Sequence, residues 1–511
     1  MMVKKMGAWM LLALLTLVGE WCGSYGCSEE ERTGLLEIKA LIDPNHLSLG
    51  DWVDSSNCCE WPGIECDNTT RRVIQLSLFG ARDQSLGDWV LNASLFLPFK
   101  ELQSLDLSSN GLVGCFENQG FEVQSSKLEV LDLSQNRFNN DKSILSCLSG
   151  LSSLKSLDLS DNGLKGSGFK DLSSRLKKVE NLDLSWNQYN DSIFSSITGF
   201  SSLKHLDLSF NQLTGSTGIN SFQLQPVSLG KLENLDLSDN QLNSSILSIL
   251  SGLSSLKSLN LSNNMLTGSG FKVLSSRLKK LENLHLSRNQ CNDSIFSSLS
   301  GFSSLKHLDL SFNQLTGSTG INSFQLHPVR LGKLENLDLR GNQLNSSILS
   351  ILSGLSSLKS LDLSNNMLTG SGTFFNSSTL EELYLDYTSL PLNFLPKIRA
   401  LPALKVLSVS DSNLNGTLPT RGTFFNSSTL EELYLDYTSL PLNFLQDIGA
   451  LPALKVLSVG ECNINDTLPA QGWCELKNLE QLDLYGNNLG GSLPDCLGNL
   501  SSLQLLDVYE N

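Results

Sequence analysis

After its first two dozen residues this chain has no stretch apolar enough, at roughly 20 residues, to cross a membrane. Basic residues are scarce: 36 Lys and Arg stand against 52 Asp and Glu, a net charge of -16, which excludes a protein that works by neutralising nucleic-acid phosphates. Aromatics make up only 7% of the 511 residues, so the core must be aliphatic. Prolines number 13 and the hydrophobic share is an ordinary 40%, which excludes collagen-like and disordered chains. There are only five histidines; His205 and His307 are copies of each other and His285 stands alone. No Ser-His-Asp or Cys-His spacing marks a nucleophile. The many carboxylates recur periodically rather than as one isolated pair. The expectation is a protein that is not an enzyme and needs no cofactor or metal.

What is present is a repeat. The pattern L-x-x-L-x-L-x-x-N recurs from Val73 to the last residue, with first positions at 73, 102, 128, 154, 179, 203, 232, 256, 281, 305, 334, 358, 380, 404, 430, 454, 479 and 503. These eighteen units, 22 to 29 residues apart, have the period of leucine-rich repeats. Leu105 and Leu107 alternate with polar neighbours, so each unit supplies a short strand with one buried and one wet face. One unit cannot bury its leucines alone, and stacking them yields a continuous core beneath a parallel sheet. The predicted fold is an α/β repeat solenoid, a right-handed leucine-rich-repeat superhelix with a concave parallel β-sheet. The Asn that ends each motif, from Asn110 to Asn366 and again at Asn487, is expected to turn inward and bond backbone groups. Thr388, Ser412, Thr438 and Cys462 replace it, so the coils beginning at 380 to 454 are expected to be less regular.

Residues 1–26 read as a secretory signal: Lys4 and Lys5 precede the apolar run Met10–Val18, and Ser24-Tyr25-Gly26 offers a small-x-small cleavage site. The run is too short for a membrane anchor. Twelve Asn-x-Ser/Thr sequons fit that route as glycosylation sites: Asn68, Asn92, Asn190, Asn243, Asn260, Asn292, Asn345, Asn376, Asn415, Asn426, Asn465 and Asn499. Residues 27–72 precede the repeats of 73–511 and hold a helical pattern over Glu29–Ile42, then Asp51-Trp52 and Cys58-Cys59-Glu60-Trp61-Pro62-Gly63-Ile64-Glu65-Cys66. In an oxidising compartment such cysteines are disulfide-bonded rather than metal-bound. Cys474 and Cys496 lie close to one coil apart, compatible with either a bridge or two buried thiols.

This cysteine segment resembles the N-terminal cap of plant extracellular leucine-rich-repeat proteins, and the resemblance pairs Cys27 with Cys58 and Cys59 with Cys66. The whole chain, through Trp473-Cys-Glu-Leu-Lys-Asn-Leu and Gly491-Ser-Leu-Pro-Asp-Cys496, looks like the ectodomain of a plant receptor-like protein. The Gly-x-Ile-Pro step of that family appears only as Gly416-Thr-Leu-Pro, Asp466-Thr-Leu-Pro and Gly491-Ser-Leu-Pro, so a second, convex sheet is expected to be patchy. The resemblance implies a protein or peptide ligand on the concave face, a co-receptor kinase, and an extracellular place in defence or developmental signalling. A receptor kinase ectodomain and a secreted inhibitor of microbial wall-degrading enzymes are the other readings. The last coil stops on Asn511 without a polar terminal unit, so the chain is expected to be the front of a longer protein that reaches the membrane only through a segment beyond it.

The repeats contain copies of themselves. Ser143–Ser244 recurs as Ser245–Ser346 with 16 differences in 102 positions, and Gly372–Arg421 recurs as Gly422–Gln471. Six of the 16 outward strand positions differ against 10 of the other 86, a threefold excess: Asp158 to Asn260, Asp161 to Asn263, Asp183 to His285, Trp186 to Arg288, Ser238 to Arg340 and Asp239 to Gly341. Four acids are lost and two arginines and a histidine appear, so the second copy is expected to present a less acidic stripe. The candidate ligand contacts are therefore Trp186, Phe210, His285, Arg288, Phe312 and Arg340, together with the duplicated Tyr384, Tyr387, Tyr434 and Tyr437. The column of aspartates at Asp106, Asp132, Asp158, Asp183, Asp207 and Asp236, resuming with Asp309, Asp338 and Asp362, reads either as a lure for a basic peptide or calcium or as the habitual strand residue of this repeat.

Overall fold

The computed structural model describes residues 26–116, 127–138, 148, 150–166, 169–215, 229–317, 331–369, 377–390, 394, 400–412, 427–440, 448–465, 467–468 and 473–511. They fall into two compact units, one running to Leu213 and taking in Phe222–Leu235, the other made of Thr214–Ser221 and Asp236–Asn511.

The first unit opens with the cap. Its helix spans Glu29–Ile42 and starts on a capping box, in which the Ser28 hydroxyl accepts from the Glu31 N–H and the Glu31 carboxylate accepts from the Ser28 N–H. Glu31 is fully buried and is answered by Arg72 Nε at 2.8 Å. Arg32 lies 5.4 Å from the centre of the Trp61 ring and donates to the Asp54 and Ser56 carbonyls, while Trp52 and Trp61 stack at 5.5 Å. Cys27–Cys58 and Cys59–Cys66 are both bonded, as the family pattern implied. Ile64–Cys66 then pairs antiparallel with Val73–Ser77, and from there every step is parallel and in register: Ser104–Asp106, Val130–Asp132, Ser156–Asp158, Asn181–Asp183 and His205–Asp207.

The second unit repeats this ladder from Ser258–Asn260 through Asn283–His285, His307–Asp309, Asn336–Asp338, Ser360–Asp362, Glu382–Tyr384, Val406–Ser408, Glu432–Tyr434, Val456–Ser458, Gln481–Asp483 and Leu505–Asp507. Opposite the strands the chain returns through short helices such as Phe271–Arg277, Ser294–Leu299 and Ile348–Leu352. Among the described residues a second sheet forms only between Trp89–Leu91 and Leu112–Cys115, in the first unit. Cys474 and Cys496 are bonded, Cys115 is also in a disulfide, and Cys291 and Cys462 are free and buried. Cys147 and the signal lie outside the described residues.

Inside the coils the framework asparagines form a spine. Asn136 is buried; its Oδ1 accepts from the N–H groups of Asn110 and Leu112 one coil back, and its Nδ2 donates to the carbonyls of Leu107, Leu133 and Ser134. Asn289 in the second unit does the same, with Leu266 N–H donating to it and Leu261, Leu286 and Ser287 accepting. Backbone groups that the tight turn leaves unpaired are thus satisfied without water.

The expected irregularity at 380 to 454 is absent from the strands. The Thr388 N–H donates to the Ser412 hydroxyl, that hydroxyl donates back to Leu385 O, Thr438 Oγ1 reaches Val409 O, and the Cys462 thiol reaches Leu435 O at 3.1 Å. A hydroxyl or thiol can donate once and accept, which preserves register with fewer bonds than an amide.

A second ladder runs along the surface. From the coil at 128 to the coil at 479 the residue after the first position alternates in charge: Glu129, Lys155, Glu180, Lys204, Glu233, Lys257, Glu282, Lys306, Glu335, Lys359, Glu381, Lys405, Glu431, Lys455, Glu480. Lys204–Glu180 in the first unit and Lys306–Glu282, Lys359–Glu335, Lys405–Glu381 and Lys455–Glu431 in the second are ion pairs at 2.6–2.8 Å. Each is exposed and contributes little alone. Hydrogen bonding from Lys306 holds the Glu282 carboxyl below its ordinary range.

The two spines differ in strength, and this is testable. Asn289→Leu strands several buried backbone groups and should cost about 3 kcal/mol in denaturant unfolding, whereas Thr438→Val, which removes one donor to Val409 O and one acceptor for the Ser412 N–H, should cost about 1–2 kcal/mol. Equal costs would mean that the amide's extra bonds carry no weight.

Candidate functional site

In each coil the candidate site lies in the four residues after the strand's middle leucine. In the first unit the Asp that ends the strand accepts the N–H of the residue two further on: Asp106 from Ser108, Asp132 from Ser134, Asp158 from Ser160, Asp183 from Ser185 and Asp207 from Ser209, at 2.8–2.9 Å. The same bond recurs in the second unit at Asp309, Asp338, Asp362 and Asp483, and at Asn260. The aspartate column therefore has local structural work, an Asx-type turn, which favours the habitual-residue reading.

That turn throws the next residue, just before the framework position, into the left-handed region. In the first unit φ is +59° at Ser109, +54° at Gln135, +50° at Asp161, +54° at Trp186 and +52° at Phe210; in the second it is +53° at Arg288, +52° at Phe312, +54° at Tyr387 and +56° at Tyr437. Gly341 and Gly486 share the row, as do Asp239, Asn263, Asn365 and Asp411, residue types that adopt this conformation readily. Bulky side chains do not, and each costs about 1 kcal/mol or more there. Yet Trp186 is 57% exposed, Tyr387 62% and Tyr437 58%, so burial does not repay the strain.

The candidate residues gather into three groups. In the first unit Trp186 and Phe210 stack with ring centres 3.9 Å apart. In the second unit Phe312 has the Arg288 guanidinium 5.0 Å and the Arg340 guanidinium 5.8 Å from its ring centre, and Arg340 touches Asp338 at 3.3 Å. Further along, Tyr387 is hydrogen-bonded to Asp411, the row position between Tyr387 and Tyr437. Tyr384 and Tyr434 end their strands at the register position that Asp holds in other coils and are half-buried there, and Tyr434 donates to Glu432 at 2.9 Å. Burial and that bond push the Tyr434 hydroxyl up to about 12. His285 is half-buried, in register between Asn260 and Asp309.

Two features escaped the sequence reading. The left-handed row is one; its signal was there, as Gly, Asn and Asp frequent the position before the framework Asn. The other is a polar cavity of about 310 Å³ in the first unit, lined by Arg82, Gln84, Ser109, Gln135, Arg137 and Asp161. Of the sequons, Asn68, Asn190, Asn292, Asn465 and Asn499 are exposed, and Asn92, Asn243, Asn260 and Asn345 are half-buried. Asn243 Nδ2 donates to Thr214 O and Asn260 Nδ2 to Asp236, leaving one other hydrogen on each amide nitrogen where a glycan could attach. Asn376, Asn415 and Asn426 lie outside the described residues.

Known proteins bear on this site. A leucine-rich-repeat N-terminal domain model matches residues 28–67, and leucine-rich-repeat models match, among others, 231–253, 255–276, 333–355, 357–377 and 478–500. The chain is similar to Cuscuta receptor 1 of Solanum lycopersicum, 34% identical over 95% of this chain and 36% of that protein, and to Receptor-like protein 9a of Arabidopsis thaliana, 39% identical over 36% and 19%. It thus spans about a third of the tomato relative's length and less of the Arabidopsis one's. A solved leucine-rich-repeat protein of Leptospira interrogans, LIC12759, shares the fold at 25% identity and a TM-score of 0.53, covering 80% of this chain and 96% of that one. No described helix is long and apolar enough to cross a membrane.

The aspartate column carries a pH signature. Burial, then the charges of Asp183 and Asp132, raise the Asp158 carboxyl to about 6, against the hydrogen bonds from Ser160 that lower it. A carboxyl whose folded value lies above its unfolded one binds more protons in the folded state, so stability should rise as pH falls through 6. Asp158→Asn keeps the acceptor, as Asn260 does in the second copy. It should stabilise by about 1 kcal/mol at pH 7, after discount for solvent, and flatten the melting profile between pH 7.5 and 5. An unchanged profile would show that Asp158 titrates normally.

Proposed function

We propose, from the premise that this chain is a plant leucine-rich-repeat receptor-like protein, that it is the recognition portion of a cell-surface receptor. It takes a protein or peptide ligand on its strand face and signals through a partner receptor kinase. The secretory signal, the exposed sequons and the disulfide-closed cap fit an extracellular, glycosylated setting.

One observation carries the reading: exposed Trp186, Phe210, Arg288, Phe312, Tyr387 and Tyr437 occupy a strained backbone position that Gly or Asn would fill without cost. Strain retained by side chains that gain nothing from the core is expected where those side chains meet a partner. The relative named Cuscuta receptor 1 supports the receptor class.

The strain argument gives the test. Tyr387→Asn and Tyr437→Asn should leave the melting temperature equal or raise stability by about 0.5–1 kcal/mol, because Asn tolerates the left-handed region. Peptides selected from a displayed library against the secreted chain should lose at least about tenfold in affinity for the same variants. Val273→Ala, on the exposed side of the helix Phe271–Arg277, is the control. Affinity lost at Val273 and kept at both tyrosines would place recognition on the other face.

A further inference from the structure

We propose that Arg288, Phe312 and Arg340 form a subsite for the carboxylates of an acidic peptide segment, a reading that rests on the strand face being the recognition surface. In the first copy of the duplicated block the corresponding residues are Trp186, Phe210 and Ser238, and Trp186 covers one face of Phe210. In the second copy both changes bring a guanidinium to the same phenylalanine, 5.0 and 5.8 Å from its centre. A third change makes room: a Cβ at Gly341 would stand 2.5 Å from Phe312 Cδ1, so the Asp found at this position in the first copy could not coexist with this ring placement. Three of the six strand-face differences between the copies thus converge on one ring.

The cluster is electrostatically incomplete. Lys306, Lys359, Lys405 and Lys455 in the same unit each have a glutamate partner within 2.8 Å. Arg340 shares Asp338 at 3.3 Å, and Arg288 has no ion pair among the described residues. Two guanidinium groups drawn to one aromatic ring, one from the coil before it and one from the coil after, concentrate positive charge there, and an anion beside either offsets it. Planar guanidinium matches planar carboxylate, and the half-exposed ring offers apolar contact to the peptide's methylene groups. On a chain of net charge -16, only a local cationic site of this kind would hold an acidic segment.

The probes are a labelled, end-blocked peptide alternating Gly with Glu, its Gln counterpart, and the Gln peptide with a free C-terminus, each titrated into the secreted chain. The Glu peptide should bind about tenfold or more tightly than the blocked Gln peptide, and Arg288→Gln and Arg340→Gln should each weaken it about tenfold. Gly341→Ala should weaken it as well, by displacing Phe312. Tight binding of the free-ended Gln peptide would support the site and assign the carboxylate to a chain end instead of side chains. Arg277→Gln, on the exposed helix, should change nothing. Failure of the Glu peptide to bind below about 1 mM, equal binding of the two blocked peptides, or equal loss with Arg277→Gln overturns the proposal. If the double Arg288, Arg340 variant binds within twofold of wild type while Tyr387→Asn abolishes binding, the subsite falls and the strand-face reading stands. Loss only at Val273 removes both.

Discussion

Everything in this molecule depends on satisfying backbone groups inside a narrow coil. A chain that turns back on itself every two dozen residues buries N–H and C=O groups that no helix or strand pairs, and each would cost a few kcal/mol if left alone. The inward Asn supplies two donors and an acceptor at one point and joins three carbonyls and the neighbouring coil's N–H groups. Because each Asn bonds to the coil before it, the same amide sets the spacing of coils as well as their closure. Thr388, Ser412, Thr438 and Cys462 show the minimum: one donor and one acceptor keep the strands in register.

The turn that closes the coil also makes the face proposed for recognition. The strand-ending Asp ties down the N–H two residues on, and the residue between that bond and the framework Asn is left in the left-handed region. This position is cheap for Gly, Asn and Asp and strained for anything larger. The row therefore sorts the coils by their contents. Asp161, Asn263 and Asn365 are scaffold residues, while Trp186, Phe210, Phe312, Tyr387 and Tyr437 are held there against the backbone's preference.

Charge alternation explains how such a chain could grow by copying. The Glu–Lys ladder has a period of two coils, and the two duplicated blocks are four and two coils long. A block of odd length would set Glu beside Glu and Lys beside Lys at its junction. Single exposed pairs are weak, but a like-charge step costs a comparable amount in the opposite direction, so even blocks insert without penalty.

The sequence by itself determined the solenoid, the cap helix at Glu29–Ile42 and the inward asparagines, because these follow from patterns a few residues long that repeat until chance is excluded. It also pointed to the candidate face, through the excess of differences between copies at outward positions. Tertiary structure decided which of those residues meet. Arg288, Phe312 and Arg340 are 24 and 28 residues apart, and only coil stacking brings two cations to one ring. It decided as well that Tyr384 and Tyr434 are half-buried while Tyr387 and Tyr437 are exposed, since a residue's outward direction depends on the neighbouring strands. The Cys474–Cys496 bond had the same character: its spacing allowed either outcome, and the juxtaposition of two consecutive turns settled it.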